Sequence, residues 1–443
     1  MAFNFFKKNT TADLILRNGR VLTQCADLPQ AEALACKDGK IIAVGDSDDI
    51  DALAGSETTV IDLEGKYAVP GFISLWEEPV LAAFEGKYLR LDACSSKEEI
   101  LEQMRAWQTF HAQEEILFGY GYREDLFGEE LSKDREAMAA FLDQACADKP
   151  ALLLSANNIS CVCNSEAMEI VQQTAGEEMV KYITAPYVLN LLLPFDFEEI
   201  EETVFAQMKN NAERGITSVL SLGAPDYFES LYIDALISFY NEGLLSQRYF
   251  SSYLINRPLL PKTLIHQLMQ MKTMCNEIGD FFSARLLLVL LDQSSCPLEF
   301  SQSALDTILA DVADKGFDIY IRAAGAADLE KAYLAAEQVR SKGYKVMIAV
   351  ESPQTLPPEL AQELMYSESI LFVPAGGDSH EIVPAAQITG CADRIGTIEI
   401  GKLADIAVFE SDPYESLCGG LPSAKAVMTI CNGVIVKQQE VNI

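Results

Sequence analysis

Tyr67-Ala68-Val69-Pro70-Gly71-Phe72-Ile73 runs directly into Ser74-Leu75-Trp76-Glu77-Glu78. The stretch is hydrophobic through Ile73, with Gly65–Val69 reading as a strand, and it runs straight into Trp76 and two adjacent carboxylates. Upstream, the texture is that of short β elements. Asp13-Leu14-Ile15-Leu16-Arg17 reaches Asn18-Gly19, and Ala31 to Cys36 reaches Asp38-Gly39 before Lys40-Ile41-Ile42-Ala43-Val44-Gly45. Asn-Gly and Asp-Gly between such runs predict hairpins. A third hairpin is expected from Thr59–Leu63 and Gly65–Val69.

The far end of the chain has the same texture. Ala404 to Phe409 is a strand candidate, and Ala424 to Cys431 leads through Asn432-Gly433 into Val434-Ile435-Val436. One small sheet system built from both ends is the economical reading. Between them, strand-like and helix-like blocks alternate. Strands are expected at 151–155, 216–222, 285–291, 317–322 and 345–350. Helices are expected at 198–214 (N-cap Asp196, terminator Gly215), 229–242, 303–315 and 327–341. Repeated βα units imply a parallel sheet, and this many favour an α/β fold of the barrel kind.

Composition narrows the function. The chain has 443 residues, 49% of them hydrophobic, enough for a sizeable core. No apolar run reaches the length of a membrane span. A net charge of −33 opposes nucleic acid and anionic membrane surfaces. The N-terminal Met1–Lys8 stretch lacks the order of a signal peptide, so a cytoplasmic protein is expected. Eleven cysteines without a Cys-x-x-Cys fit reduced thiols. Cys161-x-Cys163 is the closest pair. Its thiols are expected on opposite strand faces, filling core rather than chelating.

Several patches together resemble the YtcJ-like (amidohydrolase 3) branch of the amidohydrolase superfamily over nearly the full length. They are Ala12–Gly19 with Asp38–Gly45, Val69–Ile73, Gly119-Tyr120-Gly121-Tyr122, Asp148–Leu154, Asn164-Ser165, Arg214–Val219 and Asp393–Ile406. The resemblance implies a TIM-like (β/α) barrel, not necessarily regular, over 69–396. It also implies a small β-sandwich composed of 1–68 and 397–443. Asp148–Leu154 would be an early barrel segment. The interval from Val350 to Asp405 is short for the family, so late βα elements are expected to be trimmed or rebuilt. Family members are commonly dimers, so a homo-oligomer is expected.

The resemblance also locates where the family's metal ligands would fall. The first-strand His-x-His aligns with Trp76 and Glu78. The histidine of the Ser-Ala-Asp-Gly-His segment aligns with Ile159, and the bridging lysine with Leu288. The His-Ala-Ile-Gly-Asp segment aligns with Arg322–Ala326, and Ile-Glu-His with Ile348–Val350. Only Asp378 stands where the family's last-strand catalytic aspartate would be. The chain's three histidines, His111, His266 and His380, cannot supply the usual set.

Imidazole and carboxylate hold a hydrolytic zinc; leucine, isoleucine and valine cannot. The expectation is therefore a relative that has lost metal-dependent hydrolysis and acts as a binding or scaffold protein, with no metal and no cofactor. Two alternatives stay open, both of them hydrolases acting on carbon–nitrogen bonds. One rebuilds a carboxylate-rich site from Glu77, Glu78, Asp378 and His380, only one of the adjacent glutamates facing the pocket. The other is metal-free and uses Arg322 and Asp378. Arg322 could bind a small anionic molecule or pair with Glu78 or Asp292. Trp76 could plug the emptied cavity or stack on a ligand.

Overall fold

The computed structural model describes residues 11–77, 87–128, 131, 134–156, 161–175, 185–193, 197–221, 228–255, 261–275, 279, 281–291, 301–323, 325–352, 371–374, 382–418 and 421–438. Seven parallel strands form one sheet in chain order. They are Phe72–Glu77, Ile216–Ser221, Arg248–Ile255, Phe282–Leu291, Asp318–Ala323, Ile348–Ser352 and Leu371–Pro374, called here the first to seventh barrel strands. Helices Phe197–Glu213, Phe228–Asn241, Pro261–Cys275, Gln302–Asp314 and Ala326–Ser341 connect or flank them. This is a TIM-like barrel sheet. Parallel neighbours need crossovers, and the helices supply them.

The pleat sorts each strand into two faces. Val219, Tyr249, Leu287, Ile319, Ile321, Ile348 and Val350 join the large cluster beneath the helices. Ile73, Leu75, Leu220, Phe250, Leu286, Tyr320 and Ala349 form a second cluster, the barrel interior. The short helix Ile382–Ile388 and the segment after it add Ala385, Ala386, Ile388, Cys391, Ile395 and Leu403 to that interior. Its centre is therefore packed with hydrocarbon.

A second body lies beside the barrel. One sheet runs Lys40–Gly45, Ala33–Lys37, Leu14–Arg17, Thr59–Asp62. The other runs Val434–Gln438, Met428–Cys431, Ile406–Phe409, Tyr67–Pro70, Arg20–Leu22, Gln30–Ala31. Their facing residues, among them Leu16, Leu34, Ile406 and Ile430, share one core. In the second sheet three strands from the far end of the sequence lie side by side and join three from its start through the antiparallel pair Ile406–Phe409 and Tyr67–Pro70. Its outer face carries Val69, Ala407 and Phe409 onto the barrel, where the Phe72 ring meets Phe409 edge-on at 6.0 Å. Gly71 links the two bodies. Its N–H donates to the Asp405 carbonyl at 2.9 Å.

Two expected hairpins form. Asp38 and Gly39 have φ of 49° and 74°, and Asn432 and Gly433 have 53° and 77°. Both central residues are left-handed, as a type I′ turn requires, and the flanking strands pair antiparallel. Asn18-Gly19 is not a hairpin. Asn18 has φ 56° but Gly19 is not left-handed, and the strand before it lies in one sheet while the strand after it lies in the other. The turn at Glu64-Gly65 is closed by the Lys66 N–H on the Leu63 carbonyl. Its flanking strands likewise part into different sheets.

Two more expectations are corrected. Ala151–Ser155 is a strand, but it belongs to a separate four-stranded sheet with Leu89–Arg90, Leu117–Tyr122 and Cys161–Cys163, inserted between the first and second barrel strands. Cys161 and Cys163 share a face, since residues two apart on a strand do so. They stand opposite Leu154 and Leu152. Asp196, the expected N-cap, lies outside the described residues.

Candidate functional site

A barrel's chemistry sits at the C-terminal ends of its strands. The interior changes character along that direction. Tyr320, on the fifth strand, is fully buried in the hydrocarbon cluster. Two residues on and on the same pleat face, Arg322 is half-buried. The register sets Arg322 opposite Leu290 on one side and Glu351 on the other. Glu351, on the sixth strand, was not singled out from sequence. Only the cross-strand register reveals it, and register is not a local signal. A guanidinium carries five donors in a planar fork, so it can serve more than one acceptor at once.

The first strand is bent out of regularity just where the family's paired ligands would fall. Leu75 pairs with Leu220, but the next pair is Glu77 with Ser221. Trp76 is the extra residue of a β-bulge, a feature that re-aims the side chains after it. Glu77 consequently faces the helices rather than the interior. Its Oε2 accepts from Gln207 Nε2 at 2.8 Å and from Asn211 Nδ2 at 3.0 Å, both on helix Phe197–Glu213. Asn211 Nδ2 also reaches Gln247 Oε1 at 3.4 Å, and Tyr249 Oη donates to that same oxygen at 3.4 Å. Of the adjacent glutamates, Glu77 is thus structural. Glu78 lies outside the described residues.

Burial pushes the Glu77 carboxyl above its ordinary value, against the pull of hydrogen bonds from Ser74 and Asn211 and the charge of Arg214. A carboxyl whose folded value is raised favours the folded state while protonated. That contribution is complete below the unfolded value and disappears as pH rises through the folded one. Glu77→Gln should therefore become increasingly stabilising relative to the parent as pH rises above the carboxylate range. Parallel urea titrations from acid to neutral pH read this directly. A difference that stays flat with pH would show that Glu77 does not titrate with folding.

The remaining expected residues fall as follows. Val350 is fully buried on the helix-facing side, so it lines no interior site. Leu288 pairs with Tyr320 at mid-strand. His111 caps helix Lys97–Phe110 and stacks on Trp107 at 3.7 Å, while His266 lies within helix Pro261–Cys275; neither is on a barrel strand. Asp378, His380, Asp292 and Ile159 lie outside the described residues. Among the described residues no three His, Cys, Asp or Glu side chains converge in metal-binding fashion. Among the described residues, the positions aligned with the family's ligands include Leu288, Arg322 and the helix-facing Val350, none of which offers a lone pair to a divalent metal.

Two family models, both described as "Amidohydrolase family", match residues 59–365 and 383–436. Among curated proteins, "Protein LONG AFTER FAR-RED 3" from Arabidopsis thaliana is 25% identical over 231 residues, covering 48% of this chain and 38% of that protein. "Exoenzymes regulatory protein AepA" from Pectobacterium carotovorum is 26% identical over 178 residues, covering 40% and 38%. The matches thus span less than two fifths of either relative. Among solved structures, an uncharacterized metal-dependent hydrolase from Pyrococcus furiosus has a TM-score of 0.57 at 15% identity, covering 90% of this chain and 99% of that one. Atrazine chlorohydrolase TrzN from Arthrobacter aurescens, complexed with zinc, has 0.55 at 13%, covering 97% of each. At these identities the likeness is one of fold.

Proposed function

The chain belongs to the amidohydrolase family, and from that premise we propose that it is a non-catalytic member: a barrel that binds a small anionic molecule instead of hydrolysing a carbon–nitrogen bond. The observation that carries this reading is Arg322. A fixed cation occupies the strand end where the family places a metal-ligating histidine, and like charges in one small site repel. The buried valine at 350 and the leucine at 288 support it, since neither side chain can donate an electron pair. The curated name "Exoenzymes regulatory protein" of one relative is compatible with a binding role.

With a net charge of −33, the molecule as a whole repels anions. Recognition of one must therefore be local, through charge-assisted hydrogen bonds to the Arg322 fork. Inductively coupled plasma mass spectrometry of the purified chain should find transition metal far below stoichiometry. About one zinc or more per chain, the load of a catalytic centre, would overturn the proposal. A panel of small carboxylates and phosphates, scored by thermal shift, should contain a stabilising ligand. Arg322→Gln should weaken its binding about tenfold to a hundredfold, the worth of roughly 1.5–3 kcal/mol for a hydrogen bond to a charged group.

A second reading rests on Glu351 standing in register with Arg322. With Glu351 as base and Arg322 as electrostatic stabiliser, the chain would be a metal-free hydrolase of carbon–nitrogen bonds. Turnover of amides or cyclic ureas by the metal-stripped protein, abolished by Glu351→Gln, would favour it over the binding role.

A further inference from the structure

We propose that Cys161 and Cys163 form a reversible dithiol–disulfide site on the edge of the inserted sheet. The strand Cys161–Cys163 is the outermost of that sheet, paired only with Ala151–Ser155 among the described strands. Both side chains face the large apolar cluster, Cys163 as a buried member and Cys161 packed against it but partly exposed. The register places them opposite Leu154 and Leu152, on one face of the strand. One is reachable from solvent and the other is held beside it.

Geometry decides the character of the bond they can form. Two residues of strand span about 6.6 Å, close to the upper limit of the roughly 4.4–6.8 Å between Cα atoms that a disulfide accepts. Closing it therefore strains the strand, and strained disulfides are the easily reduced, labile ones. The product suits its surroundings, because a disulfide is uncharged and sits among Leu152, Leu154 and Ala167. The adjacent Cys161 thiol and burial together hold the Cys163 thiol above its ordinary value. Exchange must then begin at the more exposed Cys161.

The oxidant is a low-molecular-weight disulfide. The Cys161 thiolate, having lost its proton to water, attacks one sulfur of that disulfide. One thiolate leaves, takes up a proton, and a mixed disulfide remains on Cys161. The Cys163 sulfur then attacks Sγ of Cys161, loses its proton, and expels the second small thiol. Two protein thiols are oxidised by two electrons, and one disulfide is reduced to two thiols.

Full-length protein equilibrated with mixtures of oxidised and reduced glutathione, acid-quenched, alkylated and digested, tests this. The peptide holding both cysteines should escape alkylation and be lighter by two hydrogens at oxidising ratios, and should return to the alkylated form when reduced glutathione is restored. The other described cysteines should remain alkylated throughout. Cys163→Ala should stall as the glutathione adduct of Cys161. Alkylation of both residues at every ratio, or a glutathione adduct on Cys161 in the parent protein with Cys163 still alkylated, would overturn the proposal. The parent protein's peptide map decides even if the variant fails to fold.

Discussion

Arg248→Ala should cost about 3–5 kcal/mol of folding stability, because it strands a buried aspartate without its partner. Arg248 begins the third barrel strand, and Asp405 precedes Ile406–Phe409 of the composite sheet. Their side chains are 2% and 5% exposed. Arg248 Nε donates to Asp405 Oδ2 at 2.9 Å and its Nη2 to Oδ1 at 3.1 Å, a bidentate fork. The Nη2 also reaches Asn432 Oδ1 at 3.2 Å, and the Asn432 backbone N–H donates to Asp405 Oδ1 at 2.7 Å. The guanidinium further lies 5.1 Å from the Phe281 ring centre. Barrel and sandwich are therefore joined by one desolvated, fully hydrogen-bonded cluster. Replacing both partners with hydrocarbon, as in Arg248→Met with Asp405→Leu, should cost far less than either single change, since no lone charge stays buried. Urea unfolding midpoints measure the cycle. A loss below about 1 kcal/mol for Arg248→Ala, the range of an exposed pair, would show that the cluster is not desolvated in solution.

Gly215→Ala should be the other severe substitution. Gly215 follows helix Phe197–Glu213 and precedes the second barrel strand, with φ +76°. A Cβ there would lie 2.7 Å from the Cβ of Ala407 and 2.9 Å from Cζ of Phe409. The left-handed backbone costs an alanine about 1–2 kcal/mol, and overpacking a filled core adds about 1–3 kcal/mol. Gly243 is the matched control, with φ +71° and nothing near its missing Cβ. Gly243→Ala should show only the backbone part. Equal losses at the two sites would mean that the barrel face yields freely to the added methyl group.

Periodicity made four of the helices around the barrel and several of its strands legible, because each has a clean apolar stripe; helix Pro261–Cys275 was not among those expected. The third strand, Arg248-Tyr-Phe-Ser-Ser-Tyr-Leu-Ile, escaped the reading. Its inward face carries a buried ion-paired arginine, Phe250 and Ser252, so no run of aliphatic residues marks it. Asn18-Gly19 has a hairpin's residues but not its second left-handed angle, and nothing local distinguishes it from Asn432-Gly433. At the site, Arg322 was legible from its place in the family pattern. The orientation of Glu77 was not, because one extra residue at Trp76 reverses the alternation on which such a reading depends. The Arg248–Asp405 cluster was also hidden, since its members stand 157 residues apart.

The composite sheet has a bearing on synthesis of the chain. Strand Tyr67–Pro70 is made early, yet its antiparallel neighbour Ile406–Phe409 leaves the ribosome only after the entire barrel. Until then one row of its peptide groups has no ladder to join, and an open edge invites pairing with another nascent chain. Contacts of such long sequence separation also slow the final step of folding. Completion of the composite sheet is thus tied to translation of Ile406–Phe409 and the strands after it, and a product terminated before them would carry a barrel with a bare, adhesive flank.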